Sequence, residues 1–157
     1  MKIKLIVIGK TSEPYLREGI EVYLRRLIRY CDFELEVLPD VRNKAVLPVE
    51  KLKTAEAQLV LKKLEGTDYV VLLDDKGKQF KSEGLAEFVT KRLASGRGRL
   101  VFVVGGAFGF DNGLYERADI KLSLSMMTFS HQMVRLIFLE QLYRAFTIIK
   151  NEPYHHS

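Results

Sequence analysis

The stretch LVFVVGGAFGF, residues 100–110, carries the reading of the fold. Its first five residues are apolar without alternation, as in a strand buried on both faces. Gly105 and Gly106 follow at once and Gly109 comes soon after. The backbone therefore turns sharply where the strand ends, close enough to approach a ligand. A plain tight turn would use the same glycines. A dinucleotide-binding turn reads G-x-G-x-x-G after an early strand. Here the pattern is G-G-x-x-G after a late one, and the first apolar run ends in a single glycine, Gly9. Spacing and place both exclude a nicotinamide dinucleotide site.

Upstream, Lys2–Ile8 reads as a buried strand. Thr11 and Ser12 are cap candidates, and Pro14 suits a first helical turn. Leu16, Ile20, Tyr23, Leu24 and Leu27 recur at helical spacing and predict a helix to about Arg29. Phe33, Leu35 and Val37 alternate with Glu34 and Glu36, giving a strand with one wet face that Pro39 closes. Residues 40–48 form a basic loop. A helix follows over residues 49–64, with Leu52, Ala55, Leu59 and Lys63 on one side and Gly66 at its end. Then come a strand at 69–73, a turn at 74–77, and a helix capped by Ser82 that runs to about Leu93. SGRGR, residues 95–99, reads as a flexible basic link, and a fifth short strand is expected at 120–124. This alternation predicts an α/β fold: one domain, residues 1–157, with a largely parallel sheet and helices on both faces.

The chain has 157 residues, a formal net charge of +5 and one cysteine, Cys31. An intrachain disulfide and a cysteine zinc cluster are excluded, and a reducing, cytoplasmic setting is expected. The apolar run at residues 5–8 is too short for a signal peptide. No charge-free run of about 18 apolar residues exists, so no membrane span is expected. The basic balance favours an acidic partner, with RNA the leading candidate.

The last third holds the candidate chemistry. In the loop SMMTFS, residues 125–130, backbone groups and hydroxyls could meet a nucleobase edge while Met126, Met127 and Phe129 wall it in. The alternative is an ordinary strand-to-helix connection with Ser130 as N-cap. A long helix is expected from His131 to about Lys150. It is apolar nearly all round, as in a helix that is deeply buried or shared with a second subunit. His131 and Arg135 stand one helical turn apart. Arg135 needs an anionic partner, either a carboxylate of the protein or a phosphate. His131 is a helix-end polar group or a proton carrier. The tail NEPYHHS has a histidine pair but no further ligand at metal spacing, so no metal is expected. Its aromatic and imidazole groups suit stacking and hydrogen bonding to RNA.

Together these pieces resemble the ribosomal RNA large subunit methyltransferase H family, in the SPOUT class of trefoil-knotted methyltransferases. The resemblance spans essentially the whole chain. It is carried by EVYLRRL at 21–27, LLDDKGK at 72–78, GGAFGF at 105–110, PYH at 153–155 and, most specifically, LSMMTFSHQMVRLIFLEQLYRAF at 124–146. It implies a C-terminal trefoil knot and a homodimer. It implies methylation of N3 of a pseudouridine in the helix 69 loop of 23S rRNA, on the assembled ribosome. The methyl donor would be S-adenosylmethionine, with S-adenosylhomocysteine as product and no metal. The matching cofactor positions are Leu73, Gly105, Leu124, Ser125, Met126, Met127, Thr128 and Phe129. Where the family often has Pro-Glu, this chain has Ala107-Phe108. Pseudouridine N3 keeps its proton near neutral pH, so a base or an anion-stabilising group is useful. His131 is the candidate for proton transfer and Arg135 for phosphate or the developing anion. Tyr143, Arg144, Tyr154 and His155 are candidates for RNA contact. A ribosome- or RNA-binding factor without catalysis is the competing reading, since basic surface and aromatic tail would serve it equally.

Overall fold

The apolar runs become neighbouring strands of one sheet in a computed structural model that describes residues 2–156. In chain order the elements are β1 (Lys2–Ile8), α1 (Pro14–Leu27), β2 (Asp32–Leu38), α2 (Val49–Leu61) and β3 (Tyr69–Gln79). They continue as α3 (Ser82–Ser95), β4 (Leu100–Val104), α4 (Asn112–Arg117), β5 (Ile120–Ser123) and α5 (Met133–Ile149). The sheet order is β2-β1-β4-β3-β5, and every pairing is parallel. Parallel neighbours need crossover connections, which place helices on both faces as the sequence predicts.

The unalternated strand β4 lies between β1 and β3 and is buried at each residue. One of its faces sends Phe102 and Val104 into a core with Leu5, Val7 and Val71, closed by α1, α3 and α5. Phe102 meets Phe138 of α5 at a ring-centroid distance of 4.6 Å. The other face sends Val101 and Val103 into a second core with Ile6 and Leu72, closed by Ala57 and Val60 of α2 and Leu114 of α4. A residue of β4 that faces neither water nor a polar layer has no reason to be polar, which is why LVFVV carries no alternation.

Several local expectations shift. The 74–77 turn lies inside a longer strand. β3 continues to Gln79, and Leu73 and Lys78 both pair with Leu122, so residues 74–77 are pushed out of the ladder. Ser82 is the first residue of α3, not its cap, and Lys81 precedes it with no side-chain cap bond. Thr11 and Ser12 do not cap α1, whose N-cap is Glu13. They bind the start of α5 instead, as described below. α4, capped by Asp111 through a 3.0 Å bond from the Leu114 N–H, has no counterpart in the sequence reading. On α2 the inward residues are Leu52, Glu56, Ala57 and Val60, with Ala55 and Leu59 half-buried. Apolar counting excluded a glutamate and so misplaced the helix face. On β2, Val37 is exposed and Leu38 buried; Leu38 shares its face with Glu36, which meets the ammonium groups of Lys4 and Lys63.

The basic link 95–99 is anchored at its end. Arg99 grips Asp68 in a bidentate pair, Nε to Oδ1 at 2.8 Å and Nη2 to Oδ2 at 2.7 Å. Oδ2 also accepts the Glu65 N–H at 2.7 Å. Burial pushes the Asp68 carboxyl up, but Arg99 and that N–H outweigh it and hold the group below its ordinary value. Replacing Asp68 by Asn leaves the guanidinium without its charge partner and is expected to cost about 3 kcal/mol in urea unfolding near neutral pH. Because the folded group is the stronger acid, its contribution is present above the ordinary aspartate range. It is lost as pH falls through the lowered folded value, so the variant and wild type should converge in strong acid.

Candidate active site

The strands are parallel, so the carboxyl ends of β3, β4 and β5 open on the same edge of the sheet. That edge holds a pocket of about 780 Å³. Leu73 and residues 74–76 supply one wall, the glycine turn 105–109 a second, and the loop after β5 a third. Ligands in open α/β sheets bind at such carboxyl ends. The expected cofactor residues Leu73, Gly105, Leu124, Ser125, Met127, Thr128 and Phe129 all line this space. Met126 does not. It is 87% exposed on the outer side of its loop.

Each wall is held from within. The glycine turn closes on itself through the Gly109 N–H, which donates to the Gly106 carbonyl at 3.2 Å. A Cβ on Gly105 would come within 3.1 Å of the Phe110 ring and 3.2 Å of the Gly109 carbonyl oxygen, so a side chain would crowd the turn. In the third wall the Ser123 hydroxyl donates to the Ser125 carbonyl at 2.7 Å, and the Met127 N–H donates to Ser125 Oγ at 3.0 Å. Thr128 Oγ1 donates to Asp75 Oδ2 at 3.0 Å and ties the third wall to the first. The Tyr115 hydroxyl of α4 donates to Asp74 Oδ2. Burial raises the Asp74 carboxyl, while that hydroxyl and the Lys76 N–H hold it below its ordinary value. Asp74, Asp75 and Tyr115 were not anticipated as pocket residues, although the Asp-Asp pair at a strand's end was a readable signal.

His131 lines the same pocket. It does not open α5; it sits in a turn just before, and the helix begins at Met133. Ser130 acts as the cap of that turn, its Oγ accepting the Met133 N–H at 3.0 Å. Burial, then the charge of Arg135, then Lys44 push the imidazole below its ordinary value. Its neutral form therefore prevails at neutral pH.

Arg135 is 1% exposed and meets neither a carboxylate nor open solvent. Its Nη2 donates to the Ile8 carbonyl at 2.8 Å and its Nη1 to the Gly9 carbonyl at 2.7 Å and to Thr11 Oγ1 at 3.1 Å. Its Nε donates to the His131 carbonyl at 3.1 Å. The expected anionic partner is replaced by backbone oxygens at the end of β1, and a phosphate has no path to a group so enclosed. Gln132 reinforces the join: its Oε1 accepts the Ser12 N–H at 2.9 Å and its Nε2 donates to the Lys10 carbonyl at 3.2 Å.

Tyr143, Arg144, Tyr154 and His155 come together, but away from this pocket. Tyr143 meets Tyr154 edge-on at 4.8 Å, and the Arg144 guanidinium lies 4.8 Å from the Tyr154 ring centre. Arg144 pairs with Glu140 at 2.6 Å, the i, i+4 contact that the sequence suggested. The His155 ring bridges Arg144 at 3.2 Å and Glu83 at 3.0 Å. His155 also lines a second cleft, shared with Leu124 and Phe129, on the far side of the third wall. Among the described residues no cluster of three or more histidine, cysteine or carboxylate groups stands at metal-binding distance. No helix there is long and apolar enough to cross a membrane.

The family described as "Predicted SPOUT methyltransferase" matches residues 1–155 of this chain. A relative called ribosomal RNA large subunit methyltransferase H, from Christiangramia forsetii, is 53% identical over 99% of both chains. Relatives of the same name from Parabacteroides distasonis and Flavobacterium johnsoniae are 53% and 52% identical over the whole of both chains. Among solved structures, the tRNA (m1G37) methyltransferase from Aquifex aeolicus is similar at a TM-score of 0.56 and 18% identity, covering 100% of this chain and 76% of that one. A probable methylase family protein from Haemophilus influenzae Rd KW20 is similar at 0.51 and 15%, covering 99% and 70%. At those identities the structural likeness concerns the fold.

The Arg135 contacts predict a specific loss. Arg135→Lys keeps the charge but removes the planar fork, leaving buried carbonyl oxygens at Ile8 and Gly9 short of a donor. Urea unfolding should show about 2–3 kcal/mol lower stability.

Proposed function

Because the chain belongs to the SPOUT methyltransferase family, among its ribosomal RNA large subunit methyltransferase H members, we propose that it transfers a methyl group from S-adenosylmethionine to N3 of a pseudouridine in the helix 69 loop of 23S rRNA on the assembled ribosome. One observation carries this reading: the glycine turn and the loop after β5 close one pocket with Leu73, and His131 stands in its wall.

The walls suit a nucleoside cofactor. Leu73, Leu124 and Phe129 offer apolar surface, and the crowded, side-chain-free turn at Gly105 offers backbone groups. When bound, S-adenosylmethionine supplies a methyl group on a sulfonium, an electrophile that the protein need not generate. The chain's own residues must then hold the acceptor in line and relieve it of its proton. A neutral His131 is suited to accept the N3 proton, which frees the nitrogen lone pair for attack. Arg135 acts through His131. It fixes the residue's carbonyl and sets a positive charge near the ring, which keeps the imidazole deprotonated. Its part is thus positional rather than direct contact with phosphate or the developing anion.

Tyr143, Arg144, Tyr154 and His155 are proposed to contact RNA from across a homodimer, in the cytoplasm where ribosomes work. The support is that His155 and the cofactor pocket lie on opposite sides of the same loop. Met126, Met127 and Phe108, at 87%, 77% and 54% exposure, also leave apolar surface on the pocket loops for a partner to cover. A trefoil knot belongs to the same proposal. The chain leaves the edge strand β5, crosses the carboxyl ends of β3 and β4, and is tied at Gln132 and Arg135 to the end of β1.

Purified protein supplied with methyl-labelled S-adenosylmethionine should label the large-subunit RNA of unmodified ribosomes, map to helix 69, and leave naked 23S rRNA nearly unlabelled. Ribosome binding without any thermal shift from S-adenosylmethionine or S-adenosylhomocysteine would instead favour the non-catalytic factor. His131→Ala should keep cofactor binding and lose about 100-fold or more in methyl transfer. In wild type the rate should fall only as pH drops below the ordinary imidazole range, because the folded group takes up its proton late. The variant should lack that acid limb.

A further inference from the structure

Glu56 occupies a position on the inner face of α2 where an apolar residue would be expected. It is 8% exposed, and its Oε1 accepts no hydrogen bond from any described residue. Its carboxyl group fills the space beside Gly106. A Cβ there would lie 2.7 Å from Oε1 and 2.9 Å from Cδ, and would also strike Oε2. Gly106 is not among the positive-φ residues. Its backbone would therefore accept alanine, and the obstacle to a side chain is Glu56 itself. The carboxyl and the glycine turn that walls the cofactor pocket are thus fitted to one another.

The charged groups facing Glu56 are Asp40 and Lys44, on the loop after β2. They are themselves paired at 2.9 Å, so Lys44 is only partly available as a counter-charge. On its own helix, Lys53 pairs with Glu50 at 3.7 Å. Burial, and then Asp40, push the Glu56 carboxyl above its ordinary value. A buried carboxylate without a dedicated cation is costly, whereas the neutral acid fits the turn and can donate its O–H.

We propose that Glu56 is a positioning residue for the glycine turn, whose neutral carboxyl props Gly106 in the shape that binds the nucleoside cofactor and whose ionisation loosens that shape. This rests on the reading of the pocket as the cofactor site. Glu56 touches neither cofactor nor substrate. It acts through the Gly106 backbone.

Calorimetry of S-adenosylhomocysteine binding to the full chain, from acid to mildly alkaline pH, tests it. Wild type should bind about 5-fold or more weakly once Glu56 ionises. Glu56→Gln should keep the tight acid-side affinity and flatten this limb. Gly106→Ala should weaken binding, and Glu56→Ala should restore part of it in the double variant, because the obstructing oxygens are gone. A raised carboxyl contributes stability that is fully present below its ordinary value and is lost as pH rises through the folded value. The melting temperature of Glu56→Gln should therefore gain on wild type towards alkaline pH. A pH profile shared by wild type and Glu56→Gln, or strictly additive effects in the double variant, overturns the proposal. Should Glu56→Gln not fold, the Glu56 carboxyl carbon is followed by NMR in wild type. A midpoint raised by S-adenosylhomocysteine supports the proposal, and an unmoved one overturns it. Absence of binding at every pH overturns the cofactor reading, and this proposal with it.

Discussion

The guanidinium of Arg135 binds backbone oxygens that lie at opposite ends of the chain. Ile8 and Gly9 close the first strand, and His131 precedes the last helix, more than 120 residues later in the sequence. A buried arginine is stable only when its donors are met, so the start of α5 has one place to go. β5, however, is the edge strand on the far side of β3. The segment between β5 and α5 must therefore cross the carboxyl ends of β3 and β4 to reach β1. In crossing, it becomes the third wall of the pocket and delivers His131 to it. Remove the clamp and the sheet still has its order, but that wall has no fixed far end.

The same geometry sets the electrostatics. Burial most of all disfavours a proton on His131, and the charges of Arg135 and then Lys44 add to it. Glu56 and Asp40 approach the glycine turn and the end of β1 from α2 and its preceding loop. Burial thus pushes the His131 imidazole below its ordinary value and the Glu56 carboxyl above its own, while hydrogen bonds hold Asp74, in the first wall, below its ordinary value. By contrast, the tail residues find partners elsewhere in the chain: Tyr154 meets Glu140 and Tyr23, and His155 meets Arg144 and Glu83.

Much of this was legible in the residues. Unbroken apolarity at 100–104 marked β4 as a strand covered on both faces of a parallel sheet, because only such a strand can dispense with polar residues. The glycines at 105–109, and the loop 124–129 marked by its resemblance, both line the pocket, apart from Met126. Local chemistry also foretold the Glu140–Arg144 pair, since residues four apart on a helix are neighbours whatever the fold. Where the reading went astray, a residue's partner lay far along the chain. Thr11 and Ser12 looked like caps but serve α5. Glu56 was not counted on the inward side of its helix but is buried there. Val37 looked buried but is exposed, while Glu36, on the opposite face of the strand, meets Lys4 and Lys63.

What the sequence by itself determined was the alternation of the elements other than α4, the burial of the central strands and the glycine turn that lines the pocket. The first two follow from periodicity and the glycine turn from backbone freedom, which are local; the second lining loop, 124–129, was marked by its resemblance to a family. Only the tertiary structure decided what Arg135 binds, that His131 sits beside the glycine turn with a suppressed charge, and that a glutamate fills the space of a missing side chain at Gly106. Each of these depends on groups brought together by sheet order, and burial among them fixes both contacts and protonation. No reading along the chain contains that information.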